Sequence, residues 1–255
     1  MFKKLLSLAL ALIMVLALGA GLAACNKDPD AEATLTESPL PAVELQKDFD
    51  IPADFKVGFI LLHDELSTYD LNFLNATKEA CEKLGVEPEF VVIDWDNKFL
   101  ELESKSIDCI WNGMTITEEG RKNADISDIY LKNSQVVVLP ADKASTAKTV
   151  EDLKGLTFAV ENGSAGQSIA EENGLKVTAV QDMGKALLEV KSGACDGAII
   201  DQTMAEATVG EGTSYANLAV AMTLSTEEFG IAFRKNSDLT AELNAFLKEY
   251  KESGE

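Results

Sequence analysis

From Ile51 onward, short apolar runs alternate with stretches of helical spacing, and this alternation constrains the fold more than any other feature of the chain. Residues 56–62 are rich in strand formers; Leu71, Leu74, Thr77, Cys81 and Leu84 then recur at three- and four-residue intervals until Gly85. The same reasoning predicts strands over 90–93, 107–111, 135–139, 156–160, 177–180 and 198–200, with one more near 229–233. Helices are predicted over 98–105, 149–153, 167–172, 185–191 and 203–209, and a last one carries Leu239, Leu243, Phe246, Leu247 and Tyr250. Short strands separated by helices imply βαβ units and largely parallel sheets. Two such series suggest two lobes, with a ligand where the carboxyl ends of the strands face each other.

The amino terminus adds a location. Lys3 and Lys4 precede an uncharged stretch from Leu5 to Ala20, which ends in Leu22-Ala23-Ala24-Cys25. A positive end, an apolar stretch and small residues form a secretory signal. The Leu-Ala-Ala-Cys ending resembles the bacterial lipobox, and that resemblance implies cleavage before Cys25 and a diacylglyceryl group on its sulfur. Two or more acyl chains anchor stably, since each buried methylene contributes about 0.8 kcal/mol. The alternative is a retained membrane helix, because residues 5–24 are just long enough to span. Either reading puts the body of the protein outside the cytoplasmic membrane. Residues 25–51 are polar, acidic and proline-containing without periodicity, and are expected to form a disordered tether.

Removing residues 1–24 leaves 231 residues and takes the net charge from −21 to −23. That balance excludes nucleic acid as a partner and argues against adhesion to an anionic bilayer by charge. Beyond Cys25 the cysteines are Cys81, Cys109 and Cys195, without C-x-x-C spacing, and His63 is the only histidine. No metal site or cofactor is expected from such a set. One disulfide or three buried thiols are both compatible with it.

Specific blocks of sequence then narrow the class. Residues 93–98 read Ile-Asp-Trp-Asp-Asn-Lys, and residues 107–117 read Ile-Asp-Cys-Ile-Trp-Asn-Gly-Met-Thr-Ile-Thr. Further blocks lie at 128–138, at 152–155 (Asp-Leu-Lys-Gly) and at 224–235 (Leu-Ser-Thr-Glu-Glu-Phe-Gly-Ile-Ala-Phe-Arg-Lys). Together, over about 87–248, they resemble family 3 solute-binding proteins, the extracytoplasmic receptors of polar amino-acid ABC importers. The resemblance implies an α/β fold of the type II periplasmic-binding-protein kind, each lobe a mainly parallel sheet flanked by helices. It places lobe 1 at 52–137 plus 223–255 and lobe 2 at 138–222. It also implies a monomer that closes around its ligand and delivers it to an ABC permease. Residues 54–85 instead look like the start of a basic membrane lipoprotein that binds nucleosides, where Tyr69 or Phe73 would stack on a base and Asp70 would bond a ribose. Family 3 members also commonly carry a further short segment after the final helix, whereas this sequence stops at Glu255.

An amino-acid zwitterion needs donors for its carboxylate and an acidic acceptor for its ammonium. By resemblance the turn after the third strand supplies Asn112, Gly113 and Thr115 as ligand contacts; a glycine turn followed by a helix cap at Thr117 explains the same residues. The family's arginine clamp is expected at position 120, where this chain has glycine. Either the neighbouring Arg121 takes that role or the clamp is missing. On the second lobe Ser164 and Ala165 precede a helix whose free amides favour an anion, although the family has a second hydroxyl where Ala165 stands. Asp201, at the end of a strand, matches the ammonium-binding aspartate; its bland reading is a helix cap. Trp111 either lines the cleft or packs in the core. No catalysis is expected: some proteins of this fold are dehydratases, and Glu161 is the one candidate acid, but no catalytic constellation accompanies it.

Overall fold

The computed structural model describes residues 58–60, 78 and 89–253. The leader, the tether with Cys25, most of segment 54–85, and Cys81 lie outside the described residues. A parallel pair, β1 (Gly58–Ile60) and β2 (Glu89–Val91), leads through a 3-10 turn at Trp95–Asn97 into α1 (Lys98–Glu103). Next come β3 (Cys109–Ile110), α2 (Glu118–Asn123), β4 (Asp125–Ile126) and the long β5 (Leu131–Pro140). The chain then builds α3 (Ala141–Ala144), α4 (Val150–Leu153), β6 (Thr157–Glu161), α5 (Ala165–Glu172), β7 (Lys176–Val180), α6 (Met183–Ser192), β8 (Gly197–Asp201) and α7 (Gln202–Thr208). It returns along β9 (Leu218–Phe229) to β10 (Ala232–Phe233) and ends in α8 (Leu239–Ser253).

The strands form a three-stranded sheet, ordered β3-β10-β4, and a five-stranded sheet, ordered β7-β6-β8-β5-β9. The α/β class and the two sheet systems match the sequence reading, but the sheets are mixed. β6 runs parallel to β7 and β8, whereas β5 is antiparallel to both β8 and β9, and β10 is antiparallel to both its neighbours. β5 and β9 pair along their whole length, from Leu131–Phe229 to Pro140–Leu218, with register shifts at Gln135/Val136 and Val137/Val138. The lobe boundaries read from the sequence, 137/138 and 222/223, fall inside these two strands.

β8 is buried at every position and β6 at all but its first, as expected for strands covered on both faces. One core lies on the Ala159, Ala198 and Ile200 face, where Met183, Ala186, Leu187 and Val190 of α6 pack, and it continues to Trp95, Leu102, Ile110 and Met114. The other lies on the Phe158, Val160 and Ile199 face, under Ala144, Leu153 and Ala170. The helix ends are specified locally. Asp182 accepts from the Lys185 amide at 2.7 Å, Gly193 closes α6 at φ 80°, and Thr149 with Asp152 forms a capping box on α4. In the smaller sheet system Arg234 donates to Ile107 O and to Asp108 Oδ1, both at 2.7 Å. Cys109 and Cys195 are buried, and burial pushes the Cys109 thiol up to about 12. Among the described residues no helix is long and apolar enough to cross a membrane.

Candidate functional site

The carboxyl end of β8 meets the middle of β5, and there the structure buries an acid. Asp201 is 4% exposed and accepts from Gln135 Nε2 at 2.5 Å. The same Gln135 nitrogen donates to Glu227 Oε1 at 2.7 Å, so one amide bridges two carboxylates. Asn133 Nδ2 also donates to Glu227 Oε1, at 2.5 Å, and Thr115 Oγ1 donates to Glu227 Oε2 at 2.9 Å. Burial, then the charge of Glu227, raise the Asp201 carboxyl to about 8, against the lowering effect of hydrogen bonds from Gln135 and Asn133. No lysine or arginine pairs with either carboxylate among the described residues. A cavity of about 560 Å³ adjoins this network, lined in part by Asn133, Gln202, Thr203, Glu206 and Glu227.

The turn after β3 lies directly against this acid. Gly113 has φ +65°, and a Cβ added there would stand 3.1 Å from Asp201 Oδ2 and 3.5 Å from the Phe229 ring. Its amide donates to Tyr130 Oη at 3.3 Å. The turn is pinned by Ile116 N to Glu228 O, 2.8 Å, and by Gly230 N to Met114 O, 3.0 Å. Asn112 is 4% exposed, and its Nδ2 finds no hydrogen-bond partner among the described residues. An orphaned buried donor costs about 1–3 kcal/mol, a cost that a ligand oxygen would relieve.

Across from this turn, Ser164 caps α5 and accepts from Gln167 N at 3.1 Å. A Cβ at Gly166 would fall 2.8 Å from Gln135 Oε1, so the start of α5 also abuts the Gln135 network. The structure therefore brings Gly113, Thr115 and Asp201 together around Gln135 and Glu227, with Asn112 preceding Gly113 in the turn and Ser164 and Ala165 at the adjoining helix start. Asp201 precedes α7, but its side chain makes no cap hydrogen bond, which sets aside the bland reading of a capping aspartate. Thr117 does cap α2, accepting from Gly120 N at 2.9 Å. Arg121 stands apart: it is exposed on α2, where its carbonyl accepts from Lys235 Nζ. Position 120 is closed to a large side chain, since a Cβ on Gly120 would lie 3.1 Å from both Ile126 Cδ1 and Thr117 Oγ1. Trp111 is a core residue, 2% exposed and edge-on to Tyr130.

Sequence reasoning singled out neither Gln135, Asn133 nor Glu227. For the first two a signal was present in β5, whose polar stretch Lys-Asn-Ser-Gln buries Asn133 and Gln135.

Similarity to known proteins agrees with this geometry. The family described as "Bacterial extracellular solute-binding proteins, family 3" matches residues 69–255. The chain belongs to this family. The match begins inside the segment 54–85, so part of that segment falls within family 3. The arginine-binding extracellular protein ArtP of Bacillus subtilis (strain 168) is 31% identical over 210 residues, covering 80% of this chain and 78% of ArtP. The ABC transporter glutamine-binding protein GlnH of the same organism is 31% identical over 196 residues, covering 74% and 70%. Among solved structures, the arginine-bound form of truncated ArgBP (residues 20–233) from T. maritima superposes with a TM-score of 0.64 at 35% identity. It covers 76% of this chain and 94% of that one. As a family 3 binding protein the chain is a two-lobed α/β molecule, in which β5 and β9 pair at one edge of the five-stranded sheet.

Proposed function

We propose that this family 3 protein is the lipid-anchored, extracytoplasmic receptor of an ABC importer and binds a polar amino acid between its lobes, 52–137 plus 223–255 and 138–222. The observation that carries the reading is Asp201: a buried acid with no cationic partner among the described residues, set against the Gly113 turn and beside Glu227. An α-ammonium group supplies the missing positive charge, and a charge-assisted hydrogen bond of this kind contributes about 1.5–3 kcal/mol. Thr115 and the Asn112 amide supply further polar contacts from lobe 1. The free amides at the start of α5, next to Ser164 and Ala165, suit the α-carboxylate. With Gly120 in place of the clamp and Arg121 exposed, the carboxylate is held by peptide groups rather than by a guanidinium.

Closure is a hinge motion about β5 and β9, and the closed monomer presents its ligand to the permease. Cys25 carries the lipid, and residues 25–51 keep the lobes clear of the membrane surface. Calorimetry of the purified protein against the twenty amino acids tests the binding. Micromolar affinity corresponds to about −8 kcal/mol, and Asp201→Ala is expected to abolish it. Retained affinity in that variant would remove Asp201 from the ammonium site. Incorporation of labelled palmitate, lost in Cys25→Ser, tests the anchor.

A further inference from the structure

Glu227 holds no ligand in the zwitterion reading, yet it fixes the polarity of a residue that does. The constraint starts at a backbone group. The amide of Thr203, in the first turn of α7, donates to Asn133 Oδ1 at 3.2 Å, and a peptide N–H can only donate. The oxygen of the buried Asn133 amide is thereby turned to α7, and its Nδ2 to Glu227 Oε1 at 2.5 Å. Gln135 Nε2 reaches the same oxygen at 2.7 Å. The atom of residue 227 that faces β5 therefore has to be an acceptor. The other oxygen, Oε2, faces Thr115 Oγ1 at 2.9 Å. Burial raises Asp201 above neutrality, so Glu227 is the ionised member of the acid pair and has no hydrogen to give. The hydroxyl of Thr115 supplies the hydrogen of that bond.

A hydroxyl has one hydrogen and two lone pairs. With its hydrogen spent on Glu227, Thr115 offers the cleft lone pairs alone. An ammonium group is all donors and no acceptor, so it fits this orientation and no other. An α-hydroxyl is different: it donates or accepts, and so tolerates Thr115 in either orientation.

We propose that Glu227 is a positioning residue: by taking the Thr115 hydrogen it presents Thr115 to the cleft as an acceptor, and so makes the site select 2-amino acids over 2-hydroxy acids. The proposal rests on the amino-acid reading above and deepens it. Glu227→Gln isolates the effect. Its Oε1 has to face Asn133 and Gln135, which leaves Nε2 against Thr115. That amide donates to Thr115 Oγ1, and the hydroxyl turns its hydrogen to the cleft. Shape and hydrogen bonds are kept while one polarity is reversed. The substitution also removes a negative charge, which acts on an ammonium whatever residue stands at 115. A Thr115→Val background measures that contribution separately.

Calorimetry on the purified full chain first finds the tightest binder among the twenty amino acids. That amino acid is then compared with the 2-hydroxy acid of the same side chain, in the unaltered protein, in Glu227→Gln, in Thr115→Val and in the double variant. Glu227→Gln is expected to weaken the amino acid at least tenfold and to change the hydroxy acid less than threefold. In the Thr115→Val background the loss of amino-acid affinity caused by Glu227→Gln should be at least fivefold smaller. Equal losses in the two backgrounds, or parallel losses of amino acid and hydroxy acid, overturn the assignment while leaving amino-acid binding intact. Where the hydroxy acid binds too weakly to measure, the amino-acid losses in the two backgrounds decide. Should Glu227→Gln fail to fold, Thr115→Val decides alone: equal losses of the two ligands overturn the proposal. If none of the twenty amino acids binds, the underlying reading fails and the role of Glu227 fails with it.

Discussion

Replacing Asp201 with asparagine isolates the titration of the buried acid pair. In the unfolded chain an aspartate ionises near pH 4; in the folded protein burial and the neighbouring Glu227 charge raise Asp201 to about 8. Between those values the native state holds one proton more than the unfolded state. Stability therefore falls as pH rises, by about 1.4 kcal/mol for each pH unit from this group. The substituted amide does not titrate, yet its carbonyl oxygen can still accept from Gln135. The stability of the Asp201→Asn variant relative to the parent should thus rise by about 3 kcal/mol between pH 5 and pH 7. Urea unfolding at pH 5, 6 and 7, followed by circular dichroism without ligand, measures the difference directly. Comparing the two proteins cancels carboxylates such as Asp125, whose pKa is lowered chiefly by the Lys235 hydrogen bond and which titrates alike in both. Parallel pH curves for the two proteins would show that Asp201 is ionised at neutral pH and that the acid pair is not strained. The same proton has a second signature. An ammonium ligand stabilises the ionised form, so binding at pH 7 should release about one proton, detectable by calorimetry in buffers of different ionisation enthalpy.

Three further substitutions probe the surroundings. Gly113→Ala forces a side chain onto φ +65° with its Cβ 3.1 Å from Asp201 Oδ2; it should cost about 1–2 kcal/mol in chemical denaturation and weaken amino-acid binding more than tenfold. Gly197→Ala drives a Cβ to within 2.8 Å of Val138 O and 2.6 Å of Leu139 Cδ2, inside the packed sheet, and should lower stability by about 1–3 kcal/mol. Lys105 is held at φ 67°, where glycine is unstrained, so Lys105→Gly should raise stability by about 0.5–1 kcal/mol with ligand affinity unchanged.

The second series of elements was legible because local signals agreed there. The apolar runs of β6 and β8, the Ser164 and Asp182 caps and the glycine stop at Gly193 all point one way. β9 was hidden for the opposite reason. Only residues 218–222 form an apolar run; the second half carries Thr, Ser and two glutamates at half-buried and exposed positions, so nothing announces a strand of 12 residues. The two-residue strand β4 is too short to carry periodicity of its own, whereas β3 falls within the strand predicted over 107–111. In the site, Asp201 and Gly113 stood out because a strand-end acid and a turn glycine are recognisable in one dimension. Gln135 and Glu227 did not, since their partnership joins residues 92 positions apart and exists only once β5 and β9 are paired. Lys98 reads as an ordinary solvated helix residue, and only the fold carries its ammonium 65 positions along the chain, to Gly163.

The paired strands β5 and β9 shift register on either side of Val136 and Val137. Each irregularity locally disrupts the ladder and lets the ribbon bend. Gln135 sits at that fulcrum, whereas the Lys98–Gly163 and Asp94–Gln181 contacts lie out on the rim. Atoms near an axle travel little when a door swings, and those at its edge travel far. On the proposed hinge, the site around Gln135 and Asp201 would keep its shape through the swing while the rim contacts exchange partners.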